Sequence, residues 1–439
     1  MKIVIKESTL VCPSEQTPRR RLWLSAVDLL FTNRGYIPTL FFYKFNGSPN
    51  FFDPRVLKES LSRVLVPFYP VAGRLARDGN NRIEIDCNGQ GVSYAEAVAD
   101  SAMPDIDNFT ATQELVKVIP PINRSLDDLY SSPLFAVQVT RFSCGGVSLG
   151  IASHHNLGDG TGFLHFFTSW SELARGLSVS ISPFLDRTIL RARIPPTPEF
   201  HHHEFDKPPV TVPSLTQNLK QSSGSKTNSS IIVDITSDHM KTLTTMVGNE
   251  RSKIKYTRYE ILTAFLWRVA TEARNLPETQ PTKIRIPVDG RSRLNPPLPP
   301  TYFGNVIFIC ATTALCGELL KEPLVHTVDR IHEAIMRMDD KYLRSALDFL
   351  DQTDDLTSIM HGPQNSACPN FNVVSWTSLP FHGVDFGWGQ GYIRPACIYE
   401  GKGYILASST NKGSLLFAMC LETEHIQAFR EIFRASFQR

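Results

Sequence analysis

Residues 146–160 read GVSLGIASHHNLGDG. The apolar and partly β-branched run from Gly146 to Ala152 predicts a β-strand, whereas Gly158 and the Asp159-Gly160 pair break any helix. His155 is therefore expected at the corner where the strand ends and a loop begins, which is a rigid mount for a side chain. Because the pKa of histidine lies near neutrality, this side chain can take a proton from an alcohol or an amine and return it. The alternative interpretation is a core histidine beside a turn aspartate.

A second unusual stretch lies far downstream, where the chain reads Asp385-Phe386-Gly387-Trp388-Gly389. Alternating hydrophobicity alone would not generate this mixture of glycines, aromatic residues and an acid. Together and in this order, the two stretches resemble the motifs His-X-X-X-Asp-Gly and Asp-Phe-Gly-Trp-Gly of the BAHD family of plant CoA-dependent acyltransferases. The resemblance runs over nearly the whole chain and is strongest to the hydroxycinnamoyl-CoA shikimate/quinate hydroxycinnamoyltransferases. The segments that carry it include 57–62, 65–75, 82–89, 289–294, 302–306 and 338–346.

Length and composition fit a two-domain globular enzyme. The chain has 439 residues, of which 42% are hydrophobic and 20% charged, and it exceeds the size at which a single hydrophobic core stops growing. Its formal net charge of +2 gives no indication of nucleic-acid binding. The sequence lacks the features of a secretory signal and of a membrane span, and its eight cysteines lack paired spacing, so a cytoplasmic protein with reduced thiols is expected.

A proline-rich and then polar stretch, residues 178–229, interrupts the chain near its middle. Such a composition does not sustain a helix or a central strand, so we interpret it as a crossover linker between domains at residues 1–177 and 230–439. The linker contains His201-His202-His203-Glu204, but adjacent histidines in a loop lack the one-face geometry of a structural metal site. No bound metal is expected.

Hydrophobic periodicity predicts strands and helices in both halves. A helix is expected at 55–64, another at 162–176 with Gly176 as its stop, and a third at 258–273. Residues 231–235 read as a strand that is followed by a capped helix reaching about residue 246. Alternating elements predict a mixed α/β fold. The resemblance implies two domains like chloramphenicol acetyltransferase, each with a mixed sheet, and a channel at their interface.

The resemblance also implies a reaction. An acyl-CoA thioester enters the channel from one end and the acceptor from the other, and His155 deprotonates the acceptor so that it attacks the thioester carbonyl directly. Transfer of this kind needs a base, donors for the developing oxyanion and a proton for the leaving thiolate. Acyl-CoA is thus a co-substrate, and no permanently bound cofactor is expected. The precedent of the family is a monomer.

Several motif residues are expected to support the site without moving protons. In the family the aspartate that matches Asp159 pairs with an arginine, which is Arg291 here. Structural roles are likewise implied for Gly160 and for the second motif near the CoA side. In the second motif, the residues with an implied structural role are Asp385, Gly387, Trp388 and Gly389. The channel tryptophan of the family corresponds to Trp376, whose indole N–H could donate to the thioester carbonyl or to the acceptor; a plain core tryptophan is the alternative.

The acceptor pocket is where this chain departs from the shikimate/quinate pattern. That subgroup holds the carboxylate of the acceptor with an arginine and a threonine, where this chain has His361 and Val374. Its wall Thr-Pro-Ser-Val-Tyr reads Ile37-Pro38-Thr39-Leu40-Phe41 here, which removes two hydroxyl groups, and close relatives carry arginine in place of Ser378. The predicted acceptor and acyl pocket consists of Tyr36, Ile37, Thr39, Phe41, His361, Val374, Trp376 and Ser378.

These departures predict a hydroxycinnamoyltransferase of plant phenylpropanoid metabolism whose acceptor is less polar than shikimate, such as a phenolic alcohol or an aromatic hydroxy acid. Three alternatives remain open: transfer to shikimate or quinate after all, N-acylation of an aromatic amine or polyamine, and an inactive relative that acts as a binding protein. Condensation domains of peptide synthetases share the first motif, but the second motif and the length of this chain argue against them.

Overall fold

The computed structural model describes residues 1–104, 113–121, 130–211, 227–248, 254–359, 362–379, 381–396, 398–408 and 413–438. Its strands are β1 (Ile3–Val11), β2 (Arg21–Trp23), β3 (Tyr36–Tyr43), β4 (Arg74–Arg77), β5 (Ile83–Asp86), β6 (Val92–Ala99), β7 (Phe135–Arg141), β8 (Val147–His154), β9 (Asn228–Ile235), β10 (Pro281–Asp289), β11 (Ile307–Leu315), β12 (Phe371–Ser375), β13 (Tyr392–Pro395), β14 (Lys402–Ala407) and β15 (Leu415–Glu422). Its α-helices are α1 (Ala26–Leu29), α2 (Pro54–Val64), α3 (Gln113–Val116), α4 (Gly160–Ala174), α5 (Ser237–Val247), α6 (Arg258–Arg274), α7 (Cys316–Lys321), α8 (Leu324–Met336), α9 (Asp340–Asp351), α10 (Leu356–Ile359) and α11 (Ile426–Ala435).

Two mixed sheets organise the part of the chain that the structure describes. The first has the order β1-β6-β7-β8-β3-β13, and the second has the order β11-β10-β12-β14-β15-β9. A small third sheet, β2-β5-β4, lies beside them. Each large sheet combines parallel and antiparallel pairs, for example parallel β6/β7 beside antiparallel β7/β8. The predicted mixed α/β fold with two such units is confirmed.

The elements around His155 form for local reasons. Residues of β8 are buried along the whole strand, which fits its continuous apolar run in a sheet that is covered on both faces. Asp159 is the N-cap residue of α4 and accepts a hydrogen bond from the Gly162 amide at 3.1 Å. Helix α4 ends at Ala174, and Gly176 follows with a positive φ of 78°, as the predicted glycine stop requires.

One segment of the C-terminal half belongs to the N-terminal sheet. Strand β13 pairs antiparallel with β3, with Tyr392 opposite Phe42 and Pro395 opposite Thr39. The motif Asp385–Gly389 directly precedes this strand and so places it. The sequence indicated no such exchange. The domain limits at residues 177 and 230 stay a prediction. Strand β13 lies beyond residue 230 in the sequence but pairs within the N-terminal sheet.

The predicted crossover is irregular over its described residues, 178–211. It forms short 3₁₀ turns at Thr188–Leu190 and His203–Phe205 and a single β-bridge between Phe184 and Tyr302. Residues 212–226 lie outside the described part of the chain. Among the described residues, the search for a helix with the length and hydrophobicity of a membrane span finds none.

Candidate active site

The backbone around His155 is held from both sides. Strand β8 ends at His154, and His155 begins a 3₁₀ turn that reaches Leu157. The His155 amide donates to the Gly35 carbonyl at 2.9 Å, which ties the turn to the loop that enters β3. His155 thus lies at the predicted strand-to-loop corner, in a position that the sheet fixes.

Asn305 determines which nitrogen of His155 carries the proton. The side-chain amide nitrogen of Asn305 donates to Asp28 Oδ1 at 2.9 Å and to the His155 carbonyl at 2.7 Å. Because both partners are acceptors, the amide oxygen must face the imidazole, where it lies 3.0 Å from Nδ1. Nδ1 therefore donates, and Nε2 keeps a free lone pair. A neutral imidazole with this tautomer has the form of a general base.

The surroundings of His155 keep the ring neutral. The imidazole stacks on Phe31 with a centroid distance of 4.1 Å and an interplanar angle of 8°. Burial, and after it the positive charge of Arg34, lowers the pKa of His155 to about 3. The unprotonated form is consequently populated throughout the physiological range.

His154 is adjacent but has the opposite tautomer. Its Nδ1 accepts from the Asn156 amide at 3.3 Å, so its proton lies on Nε2. The ring is buried beside Tyr36 in an edge-to-face contact at 5.1 Å, and Nε2 has no partner among the described residues. Burial lowers the pKa of His154 to about 4. The two histidines of the motif therefore differ in environment, and the arrangement suited to a base is that of His155.

Asp159 joins the two halves of the chain. Among the hydrogen bonds of the described residues, none joins the side chains of Asp159 and His155. Arg291 Nη1 lies 2.8 Å from Asp159 Oδ2, and Nη2 lies 2.9 Å from Oδ1, which is a bidentate pair. The Val306 amide also donates to Asp159 Oδ2, at 2.9 Å. Both side chains are buried. Although burial opposes it, the carboxylates of Asp159 and Asp289 raise the pKa of Arg291 above its usual value.

Asp28 is a functional candidate that the sequence interpretation missed. Its Oδ1 accepts from both nitrogens of Asn305 and lies 3.1 Å from Arg187 Nη1 in a pair with no exposed side-chain surface. Asn305 lies within the Tyr302–Val306 segment that carries the resemblance, but it was assigned no role. The available signal was an amide within a segment that resembles the family, whereas nothing local connects Asp28 with His155.

The second motif folds on itself. Asp385 Oδ1 accepts from the amides of Gly387 and Gly389, at 2.8 Å and 3.0 Å. Both glycines have positive φ, 96° and 106°, a backbone conformation that glycine adopts more readily than other residues. Trp388 packs against Phe52 with a ring distance of 4.8 Å. The motif is thus a turn docked on the N-terminal core, and its structural role remains a proposal.

Three of the predicted pocket residues share one face of β3, and one does not. Ile37, Thr39 and Phe41 alternate with Tyr36, so their side chains project from the opposite face. The Tyr36 ring packs in a different core with Leu40 and donates from its hydroxyl to the Pro133 carbonyl at 2.8 Å. Tyr36 is thus separated from the other three by the strand, and the membership of all four in the acceptor pocket stays a prediction.

A chain of aromatic rings connects this face to the C-terminal half. The ring centroids of Phe41 and Phe381 lie 6.3 Å apart, those of Phe381 and Trp376 lie 5.7 Å apart, and those of Trp376 and Tyr404 lie 5.1 Å apart. Val374 packs with Trp376 in one cluster. The structure thus brings Phe41 and Trp376 close to the same ring.

The remaining predicted residues are placed as follows. Ser378 is exposed. Gly160 begins α4, where an added Cβ would lie 3.2 Å from a Leu379 methyl carbon, so a larger residue would press on the chain next to Ser378. His361 lies outside the described residues.

The histidine run of the crossover is divided by burial. His202 is buried and lies 3.0 Å from Ser345 Oγ, whereas His201, His203 and Asp206 are exposed and offer ligand atoms within 4.8 Å of one another. Lys283 Nζ donates to the His203 carbonyl at 2.9 Å and brings positive charge to this group. The expectation that no metal is bound stays a prediction.

A buried histidine at the junction of two mixed α/β units, with the two halves joined by an Asp–Arg pair, fits the architecture of an acyltransferase. The family model described as "Transferase family" matches residues 1–436. The chain therefore belongs to this family, the BAHD acyltransferases, and is an enzyme that transfers acyl groups.

Relatives and solved structures agree with this assignment. The chain is 46% identical to a shikimate O-hydroxycinnamoyltransferase of Nicotiana tabacum, over 98% of this chain and 99% of that one. It is 41% identical to a hydroxycinnamoyl-CoA:5-hydroxyanthranilate N-hydroxycinnamoyltransferase of Avena sativa, over 98% and 99%. The structure of TRI101 from F. sporotrichioides, complexed with coenzyme A and T-2, shares the fold with a TM-score of 0.75 and 17% identity over 94% of this chain and 97% of that one.

Proposed function

We propose that this enzyme transfers a hydroxycinnamoyl group from its CoA thioester to a hydroxyl group of an acceptor other than shikimate, with His155 as the general base. The observation that carries the proposal is the contact between His155 Nδ1 and Asn305 Oδ1 at 3.0 Å, because it leaves Nε2 unprotonated. The acyl donor is supported by the names of the relatives at 46% and 41% identity.

The reaction proceeds without an acyl-enzyme. His155 Nε2 takes the proton of the acceptor hydroxyl while the oxygen attacks the thioester carbonyl carbon, and the tetrahedral intermediate then expels the CoA thiolate. The thiolate takes the proton from Nε2, which restores the neutral ring. Burial lowers the pKa of His155 and so makes the transient imidazolium a stronger acid than an ordinary one, which favours return of the proton to the thiolate, since a thiol has a pKa near about 8.5.

The surroundings supply two further roles. Asn305, held by Asp28, positions the imidazole, and its amide oxygen accepts the hydrogen bond from His155 Nδ1–H throughout the cycle. Trp376 lies among the rings next to Phe41, and its indole N–H makes no hydrogen bond to the described residues; we assign it to the thioester carbonyl or the acceptor. Asp159 and Arg291 hold the two halves together and take no part in proton transfer.

The pocket favours an acceptor with fewer hydroxyl groups than shikimate. Ile37 and Phe41 stand where the shikimate/quinate subgroup has hydroxyl-bearing residues, and a pocket without matched partners discriminates against polar ligands. Shikimate itself is the second candidate because the tobacco relative bears that activity in its name. Transfer to an aromatic amine is favoured in the same way by the Avena sativa relative. A monomeric state and a cytoplasmic location stay predictions.

The test is acyl transfer by the purified protein from p-coumaroyl-CoA to shikimate, quinate, an aromatic hydroxy acid, a phenolic glycoside and tyramine in parallel. We expect turnover of a non-shikimate acceptor, and a fall in kcat of about 10²- to 10⁴-fold in His155→Ala. His201→Ala, in an exposed histidine, is the control and should leave kcat unchanged. Equal kcat in His155→Ala would exclude the mechanism, and preference for shikimate or quinate would exclude the altered acceptor.

A further inference from the structure

Arg34 is a cation close to the base. It ends the 3₁₀ turn Thr32–Arg34 that precedes β3. Its guanidinium carbon lies 5.5 Å from the centroid of the Phe31 ring, and that ring stacks on His155 at 4.1 Å. Arg34 is therefore separated from the imidazole by a single aromatic ring. Its positive charge contributes, after burial, to the lowered pKa of His155.

The Arg34 guanidinium has no acidic partner, unlike the interior arginines nearby. Arg187 pairs with Asp28 and Arg291 pairs with Asp159. Within the described ranges, the Arg34 guanidinium makes neither an ion pair nor a hydrogen bond to a side chain or a carbonyl. A guanidinium that solvent reaches and that has no acceptor on the protein can bind a ligand that brings the anion.

The Arg34 side chain is exposed, so a ligand can reach its guanidinium. Burial nevertheless lowers the pKa of Arg34, and Tyr404 and Tyr399 act on that pKa in the opposite direction. Tyr404 in turn packs against Trp376, with 5.1 Å between the ring centroids. We call the solvent-accessible space at the Arg34 guanidinium the recess.

The local charge is positive. Lys402 Nζ lies 4.9 Å from the centroid of the Tyr404 ring, and it lowers the pKa of His155 after the larger effects of burial and Arg34. The carboxylate of Glu400 on the same loop is engaged elsewhere, since its oxygens accept from the Cys368 amide at 3.0 Å and from Asn228 Nδ2 at 3.2 Å. An anion in the recess would meet the Arg34 guanidinium without competition from the Glu400 carboxylate.

The two ends of β3 assign this recess to the acceptor. Tyr43, at the end of β3, packs against Phe386 of the second motif at 6.3 Å, and that motif is proposed to lie on the CoA side. Arg34 precedes Tyr36, at the start of the same strand. At a rise of about 3.3 Å per residue, the seven intervals of this eight-residue strand separate its two end residues by roughly 23 Å.

We propose that Arg34 binds the carboxylate of the acyl acceptor and that the acceptor is an aromatic hydroxy acid. This rests on the proposed function and selects one class among the acceptors that it leaves open. A guanidinium can hold a carboxylate through two parallel hydrogen bonds, while the neighbouring rings contact the aromatic body. The clamp that is missing at His361 and Val374 in the sequence is thereby supplied from the opposite, N-terminal half of the chain.

The test compares matched acceptors and matched variants. The acceptors are 3-phenyllactate and its methyl ester, and shikimate and its methyl ester, assayed with p-coumaroyl-CoA; binding of the same compounds to the protein is measured by calorimetry. We expect wild-type protein to prefer each acid over its ester. Arg34→Gln should raise KM and Kd for the acids about 10- to 100-fold, while leaving the esters unchanged. Arg34→Lys should recover part of the loss, and Arg55→Gln, at a surface arginine, should behave as wild type.

Each other outcome contradicts the proposal in a recognisable way. Equal use of acids and esters by the wild type would show that no carboxylate is bound. A higher KM for p-coumaroyl-CoA in Arg34→Gln would assign Arg34 to the phosphates of CoA. A fall in kcat for acids and esters alike would assign it to the oxyanion. Absence of transfer to every acceptor would instead count against the proposed function, and the calorimetric comparison of acid and ester would still decide the role of Arg34.

Discussion

The two motifs of this chain each contain an aspartate close to glycine residues, but the roles of the two aspartates differ. Asp159 is buried and holds the guanidinium of Arg291, 132 residues away, together with the Val306 amide. Asp385 binds the amides of Gly387 and Gly389, within four residues of itself. The first carboxylate therefore joins the two halves of the chain, and the second shapes its own loop.

This difference shows that a motif residue can be essential for two separate physical reasons. Breaking a buried charge pair leaves the other charge without compensation, which is costly. Removing an acceptor from a turn on the surface exposes amides that water can satisfy, and this costs far less. Similar sequence patterns thus predict unequal energies once the structure shows where each carboxylate points.

The largest difference is expected between Asp159→Ala and Asp385→Ala. Asp159→Ala leaves Arg291 buried and unpaired, so we expect the free energy of unfolding to fall by about 3–5 kcal/mol. Asp385→Ala should cost about 1–2 kcal/mol, since it removes hydrogen bonds near solvent. Urea denaturation of both variants measures the two losses. Equal losses would contradict the comparison.

A second variant separates the charge from the hydrogen bonds of Asp159. Arg291→Met in the Asp159→Ala background removes the uncompensated guanidinium, so it should recover part of the lost stability. If the double variant is less stable than Asp159→Ala, the cap of α4 and the Val306 contact carry the effect, and the ion pair does not. Asp159→Asn, which keeps the size of the side chain, serves if the alanine variant does not accumulate as folded protein.

A smaller effect concerns pH and distinguishes the first motif from the second. Burial lowers the pKa of His155 to about 3 and that of His154 to about 4, whereas an unfolded histidine titrates near about 6.5. Between these values the unfolded chain binds more protons than the folded one, so stability falls as the pH decreases. From pH 7 to pH 5 each histidine should cost roughly 2 kcal/mol.

The check is the pH dependence of urea unfolding in wild type, in His155→Gln and in Asp385→Asn. We expect His155→Gln to have a shallower loss between pH 7 and pH 5, while Asp385→Asn should follow the wild type in this window. The comparison concerns slopes and not absolute stabilities, so a general destabilisation by either substitution does not affect it. Parallel curves for wild type and His155→Gln would show that the imidazole is protonated in the folded protein.

Local signals predicted most of the fold near the site. The apolar run before His155 forms β8, and the capping pair Thr257 and Glu260 begins α6 within one residue of the predicted start. These elements depend on neighbours along the chain, and sequence patterns record such neighbours well. Together with the resemblance to the BAHD family, they were sufficient for the fold class and for the position of His155 at the end of β8; its role as the base stays a prediction.

Contacts between distant residues were harder to predict. Asn305 lies 150 residues from His155, and β13 enters the N-terminal sheet from the far half of the chain; no local pattern encodes either arrangement. Tyr36 is a different case, because strand alternation alone places it opposite Ile37. The pocket prediction grouped these residues by their order in a motif, without regard to the face of the strand, and their membership in the pocket stays a prediction.

The smallest expected effect tests the backbone of the two motif turns with one substitution in each. Gly389 has φ 106° and open space where a Cβ would be, so Gly389→Ala introduces backbone strain without a clash and should cost about 1–2 kcal/mol. Gly158, in the first motif, has an extended backbone with φ 166°, and its added Cβ would make an ordinary contact at 3.5 Å with Gly304; we expect Gly158→Ala to cost less than about 0.5 kcal/mol. Gly79→Ala, in open space without a positive φ, is the control for the effect of alanine on the unfolded chain. If Gly158→Ala lowered the free energy of unfolding more than Gly389→Ala, close packing around Asp159 would be the stronger restriction. Backbone strain at the positive φ of Gly389 would then not be what distinguishes the second motif from the first.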